Sequence, residues 1–228
     1  MATSVLVIAE SGAGKSTSIE SLNSKETFII NVSSKPLPFK GWKSKYSLWS
    51  KENPGGNLYN TANPEQILAC LKYVHEKRPE IKTVVVDDMQ YMSAFEYFDR
   101  AMETGFSKFT SISTNLAKVA RYPKDLREDL QVYFLTHAEE SVDMDGKRKV
   151  KAKTLGKMVD NSLTLEGLFS IVLFGRVKKD KETKELSYIF ETQNNGENTC
   201  KSPKGMFDTP EIPNSLEVVR QAIINFEN

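Results

Sequence analysis

Short apolar runs alternate with longer stretches in which apolar residues return every three or four positions. The runs at 5–9, 27–32, 83–87, 132–137, 169–174 and 186–192 are rich in Val, Ile, Leu and Phe and carry little charge. Runs of that length and type predict strands buried on both faces, as in a parallel sheet. Ile67, Leu68, Leu71 and Val74 mark one face of a helix, and Asn63-Pro64 ahead of them is a start signal. Helical pattern recurs over 109–130, broken near Pro123, and again over 214–226. Strands alternating with helices predict an α/β fold, a mostly parallel central sheet with helices on both faces.

Two stretches follow neither period. Residues 33–63 carry Pro36, Pro38, Pro54, Gly55 and Gly56, with Phe39, Trp42, Tyr46 and Trp49 set among lysines. Those aromatics either offer stacking surfaces to single-stranded bases or, at helical spacing, pack the insertion onto the sheet. Residues 141–157 are polar and basic, and Asp145-Gly146 is a turn signal for a hairpin. With no repeat and no low-complexity linker, 1–228 reads as one domain.

Composition narrows the class. An apolar fraction of 39% with 10% aromatics suits a folded chain with a core rather than a disordered one. Lys and Arg number 31 against 30 Asp and Glu, so a polyanionic partner would have to be met by local clusters of charge. Cys70 and Cys200 belong to no Cys-x-x-Cys pattern, which argues against structural zinc and for a reducing compartment. Residues 1–4 lead into the first strand without a basic leader or long apolar segment. The expectation is a soluble, cytoplasmic chain with no membrane partner.

The chemistry begins right after the first strand. Glu10, Ser11, Gly12, Ala13, Gly14, Lys15, Ser16 and Thr17 match the P-loop, with Ala9 where the motif usually opens on glycine. Glycines let the backbone curl so that its N–H groups face a phosphate, and a helix opening at Gly14-Lys15-Ser16 would add its positive end. Lys15 is expected to reach the β- and γ-phosphates of ATP, and Ser16 to ligate Mg²⁺. The run 83–87 ends on Asp87, a carboxylate at the carboxyl edge of a buried strand and the expected second holder of Mg²⁺. Asp88 either orients the attacking water or caps the next helix. No glutamate stands beside Asp87, so a base from elsewhere, such as Glu139 or Glu140, is the alternative. Thr136 and His137 end the fourth run, placed either to feel the γ-phosphate or, for the histidine, to be satisfied by backbone hydrogen bonds. The catalytic set is thus Lys15, Asp87, Asp88 and His137.

Lys147, Arg148, Lys149, Lys151, Lys153 and Lys157 fall within eleven residues, and 146–157 contains no acid. Such a segment can neutralise several phosphates of a nucleic-acid strand or be a solvated hairpin.

Together these features resemble the RecA-like P-loop ATPases in their compact phage form, and among them the Sak-type single-strand annealing ATPases. The resemblance rests on Gly12-Ala-Gly-Lys-Ser-Thr17, Val84-Val-Val-Asp-Asp88, Phe134-Leu-Thr-His137, Thr154-Leu-Gly-Lys157 and the segment 191–207. It implies a RecA-like ATPase core that binds single-stranded DNA and promotes annealing or pairing in phage recombination, in the host cytoplasm. It also implies a homo-oligomer, ring or filament, working beside a single-strand-binding protein. Lys201, or Lys204, would then complete a neighbour's ATP site in trans. Two other readings stand beside it: a nucleoside- or nucleotide-type phosphotransferase, and a non-hydrolysing module gated by ATP. Phosphotransferases usually need an arginine-rich lid, and the arginines here are scattered.

Overall fold

A computed structural model describes residues 1–142, 146, 148–154 and 164–228. The strands are β1 (Thr3–Ala9), β2 (Thr27–Asn31), β3 (Leu58–Asn60), β4 (Thr83–Asp87), β5 (Gln131–Val142), β6 (Arg148–Ala152), β7 (Ile171–Lys179), β8 (Leu186–Glu191) and β9 (Glu211–Pro213). The helices are α1 (Trp42–Lys45), α2 (Pro64–Lys77), α3 (Gln90–Asp99), α4 (Ser107–Arg121) and α5 (Leu216–Glu227).

The sheet runs β3-β2-β4-β5-β1-β7-β8-β9, parallel from β3 to β7 and antiparallel at β8 and β9. Every residue of β2 and β4 is buried. Their alternate side chains feed two cores, as a parallel sheet covered on both faces requires. Leu6, Ile8, Val84 and Val86 meet α2, α3 and α4 on one face. Val5, Val7 and Val85 meet α5 and the aromatic insertion on the other. The expected α/β P-loop architecture is what the chain adopts.

Local signals explain the ends. The Asn63 side chain accepts hydrogen bonds from the Glu65 and Gln66 N–H groups, and Pro64 fills the first helical position where no N–H is needed. Ser215 caps α5 by accepting from Val218. After the P-loop, however, the chain makes only a five-residue 3-10 turn, Thr17–Ser21. Ser18 Oγ donates to the Lys15 carbonyl at 2.6 Å, and Ser21 Oγ to the Ser18 carbonyl at 2.7 Å. Serines bonding to the backbone three residues back compete with an α-helix and tighten the turn.

Residues 33–63 pack rather than present stacking faces. Phe39 and Tyr46 are buried in the second core, Trp42 packs against it, and Trp49 lies against Tyr59 and Tyr73. Only Trp42–Lys45 is helical. Of the basic segment, Arg148–Ala152 is strand β6. The last residues of β5 leave the main sheet and pair antiparallel with β6, Ala138 with Ala152 through Val142 with Arg148. That pairing gives the two strands of the expected hairpin, and Asp145 of its turn signal lies outside the described residues.

Candidate functional site: a phosphate cradle beside two aspartates

β1 lies between β5 and β7, and β5 lies between β1 and β4. Ala9 ends β1 and Asp87 ends β4, and between them His137, in register with Ala9, is the last β5 residue paired in the main sheet. Ligands of open parallel sheets bind at this carboxyl edge. A cleft of about 800 Å³ opens there, walled by Gly12, Lys15, Ser16, Asp87, Asp88 and His137.

Gly12 and Gly14 have φ of 82° and 81°, the left-handed conformation that glycine adopts without strain. A Cβ on Gly14 would also stand 3.1 Å from the Tyr188 ring and 3.3 Å from the Asn214 amide. Ala9 replaces the motif's first glycine, and Gly175 on β7 accommodates it: a Cβ on Gly175 would lie 2.9 Å from the Ala9 Cβ. The small residue has moved to the neighbouring strand. Because the 3-10 turn is too short for a helix macrodipole, phosphate binding rests on the loop's own N–H groups and on Lys15.

Lys15 is 6% exposed, and its ammonium sits 2.5 Å from Asp88 Oδ1 and 3.8 Å from Asp87 Oδ1. Ser16 Oγ donates to Asp87 Oδ1 at 2.8 Å. His137 Nε2 lies 3.4 Å from Asp88 Oδ1, and Lys35 Nζ lies 3.6 Å from Asp88 Oδ2. Burial pushes the Asp87 carboxyl up, the Lys15 ammonium draws it back in part, and the Asp88 charge pushes it higher again. Asp88 moves the other way. Burial raises it, but the hydrogen bond from His137 and the Lys15 cation outweigh that and hold it well below the usual carboxylate range.

Asp88 does not cap α3. Its φ is +60°, no side chain caps that helix, and the carboxylate points instead into the cleft toward three basic side chains. Asp tolerates this conformation better than most residues. Glu139 pairs with Lys151 at 3.1 Å on the hairpin, Glu140 is exposed, and neither lines the cleft. Thr136 is buried, leaving His137 as the group of this stretch that reaches Asp88.

Of the basic cluster, Lys147 and Lys157 lie outside the described residues, as do 155–157 of the Thr154-Leu-Gly-Lys157 match. Arg148 opens β6, Lys149 and Lys153 are exposed, and Lys151 carries its glutamate partner. Lys201 bridges its backbone to Val172 of β7, and Lys204 is exposed; neither lines its own chain's cleft. Sequence patterning missed Lys35, Tyr91, Tyr188 and Asn214, all of which line it. Lys35 Nζ lies over the Tyr91 ring at 4.8 Å, and that ring meets His137 edge-on at 6.0 Å.

Residues 1–203 match the family model AAA_24, described as an AAA domain. The chain belongs to this family. It is a P-loop ATPase by that membership, and the cradle, Lys15 and the Asp87 strand end are the parts such an enzyme needs. No curated protein matches it. Among solved structures it is similar to a KaiC-like protein of the hyperthermophilic archaeon Pyrococcus horikoshii OT3. That pair shares 13% identity over 82% of this chain and 76% of the other, with a TM-score of 0.46. Among the described residues, no helix is long and apolar enough to cross a membrane.

For this AAA ATPase the arrangement has a clear chemical consequence. One ammonium and two carboxylates are buried together, so the site carries excess negative charge around Lys15. A polyphosphate gives Lys15 a stronger partner, and a divalent cation offsets the charge on Asp87. Ser16 and Asp87, already in contact, are the residues that would hold Mg²⁺.

Proposed function

We propose that this AAA ATPase is a RecA-like, ATP-hydrolysing protein that binds single-stranded DNA and promotes strand annealing or pairing in phage recombination. Lys15 takes the β- and γ-phosphates of ATP. Ser16 and Asp87 hold Mg²⁺, which supplies charge neutralisation at the phosphates. The Tyr188 ring and Asn214, at the P-loop end of the cleft, flank the nucleoside. Asp88 orients the attacking water. A carboxylate held so far down is a poor proton acceptor, and a loose phosphoryl-transfer transition state needs position more than deprotonation.

One observation carries the DNA part of this reading. His137 touches Asp88, and the next residue, Ala138, starts the pairing of β5 with the basic strand β6. A change at the γ-phosphate therefore meets the root of the hairpin that bears Arg148, Lys149, Lys151 and Lys153. Those cations, with Lys147 and Lys157, would replace counterions along a DNA strand. Self-assembly along that strand, with Lys201 entering a neighbour's ATP site and a single-strand-binding protein as accessory, belongs to the same proposal.

Binding of a labelled oligonucleotide at rising salt, with Mg²⁺ and a non-hydrolysable ATP analogue, tests it. Affinity should fall steeply with salt and weaken without nucleotide. No binding at low salt with nucleotide present would sink the DNA reading. A non-hydrolysing, ATP-gated module is the second reading, favoured by the Lys15–Asp88 contact, which phosphate binding would have to break. ATP turnover in the purified protein rules it out.

A further inference from the structure

Behind His137 lies a second, smaller cavity of about 170 Å³, lined on its apolar side by Met89, Leu116 and Leu165. Tyr91 and His137 line both this cavity and the nucleotide cleft. Among the described residues, two polar side-chain atoms on its wall are buried without a hydrogen-bond partner: Ser93 Oγ and Gln90 Nε2. Ser93 is 6% exposed. Buried polar groups are nearly always paired, so two orphans on one cavity wall call for partners from water or from a ligand that displaces it.

The orientation of Gln90 is settled by its other atom. Its Oε1 accepts the His137 backbone N–H at 3.2 Å, which leaves Nε2 as the donor without an acceptor. A hydroxyl that both donates and accepts stands beside it. The volume equals about six waters of liquid, room for one planar heterocycle and too little for a whole nucleotide. Exposed Lys153 also lines the cavity, and its backbone N–H donates to the His137 carbonyl at 2.8 Å.

We propose that this cavity receives one base of the bound DNA strand, a pyrimidine by size, rotated out of the strand. The base's carbonyl oxygen accepts from Gln90 Nε2, Ser93 Oγ meets its ring N–H, and Lys153 meets the adjoining phosphate. Tyr91 gives the ring an aromatic wall. The inference rests on the DNA reading and deepens it. Gln90 holds the His137 backbone, and His137 reaches Asp88, so an inserted base touches the chain of contacts leading to the γ-phosphate.

Two variants test it. Gln90→Glu keeps an acceptor for the His137 N–H but replaces the free donor with an acceptor. Ser93→Ala removes an orphan hydroxyl and adds no bulk to the cavity wall. Anisotropy is measured on oligo-dT and on an abasic oligomer of equal length, with Mg²⁺ and the ATP analogue. The wild type should prefer oligo-dT by about tenfold, the value of one well-seated base. Both variants should bring that ratio close to one while binding the ATP analogue as the wild type does. A wild-type ratio of one with abasic binding intact overturns the base site and leaves the DNA reading standing. An unchanged preference in both variants does the same. Absence of binding to either oligomer removes the DNA reading, and the base site with it.

Discussion

Lys15 Nζ stands 2.5 Å from Asp88 Oδ1, a buried ion pair between the P-loop and the residue that follows β4. The same carboxylate meets His137 and Lys35, so three other chain segments converge on Asp88. Bound ATP would compete with Asp88 for Lys15. Asp88→Asn is therefore expected to leave ATP-analogue affinity unchanged or raised, while turnover falls about a hundredfold through lost positioning of water. Calorimetry and phosphate release measure the two. Equal losses in both would make Asp88 a structural counter-charge only.

Lys15→Ala should abolish nucleotide binding. It also leaves two buried carboxylates without their ammonium, and breaking a buried pair in this way costs about 3–5 kcal/mol. Raised thermal stability relative to wild type would contradict the ion-pair account.

Gly175 and Ala9 form a complementary pair across β1 and β7. Gly175→Ala forces two methyl carbons to about 2.9 Å separation and should destabilise the chain by about 1–3 kcal/mol as overpacking. Nucleotide affinity should weaken with it. Adding Ala9→Gly, which restores the usual motif glycine, should recover both. The double variant is the informative one, because a merely fragile β7 would not be rescued.

Cys70 is buried, and burial pushes its thiol up to about 12 from 9.0, the nearby Arg78 charge only partly opposing. Cys200 moves the same way, through burial and the Glu191 charge. Neither should react with a thiol reagent at neutral pH until the chain unfolds. The sign of the linkage follows. A thiol raised in the folded state keeps its stabilising difference below pH 9 and loses it as pH rises toward 12. Chemical denaturation midpoints at pH 8 and pH 10 should fall in that order, and less so in Cys70→Ala.

The sequence carried the centre of the sheet more clearly than its edges. Thr83-Val-Val-Val-Asp87 reads as a buried strand because all five residues are buried, and the Asn63-Pro64 start of α2 is a local signal. α3 was not legible, since Phe95 and Phe98 face solvent and spoil its amphipathic period. The P-loop helix was over-read because glycine and lysine spacing says nothing of serines that bond back to their own turn. The cleft's far wall escaped notice for a different reason. Asn214 reaches the Ala13 carbonyl across 201 residues of sequence, a contact that local pattern cannot encode. Tyr188 arrives beside it through the antiparallel pairing of β8.

Tyr188 also allows a direct check of that wall. Tyr188→Ala should weaken ATP binding about tenfold or more, as loss of one aromatic contact to a base does, and Tyr188→Phe should be neutral. Triphosphate without a nucleoside should bind both variants alike.

If the P-loop site answers to DNA through His137 and the β5–β6 hairpin, as proposed, hydrolysis should depend on the strand. ATP turnover measured with and without single-stranded DNA tests it most directly. Turnover should be faster with DNA, an increase lost in His137→Ala and diminished by high salt. Turnover indifferent to DNA, in a protein that hydrolyses ATP and binds the oligonucleotide, would contradict it.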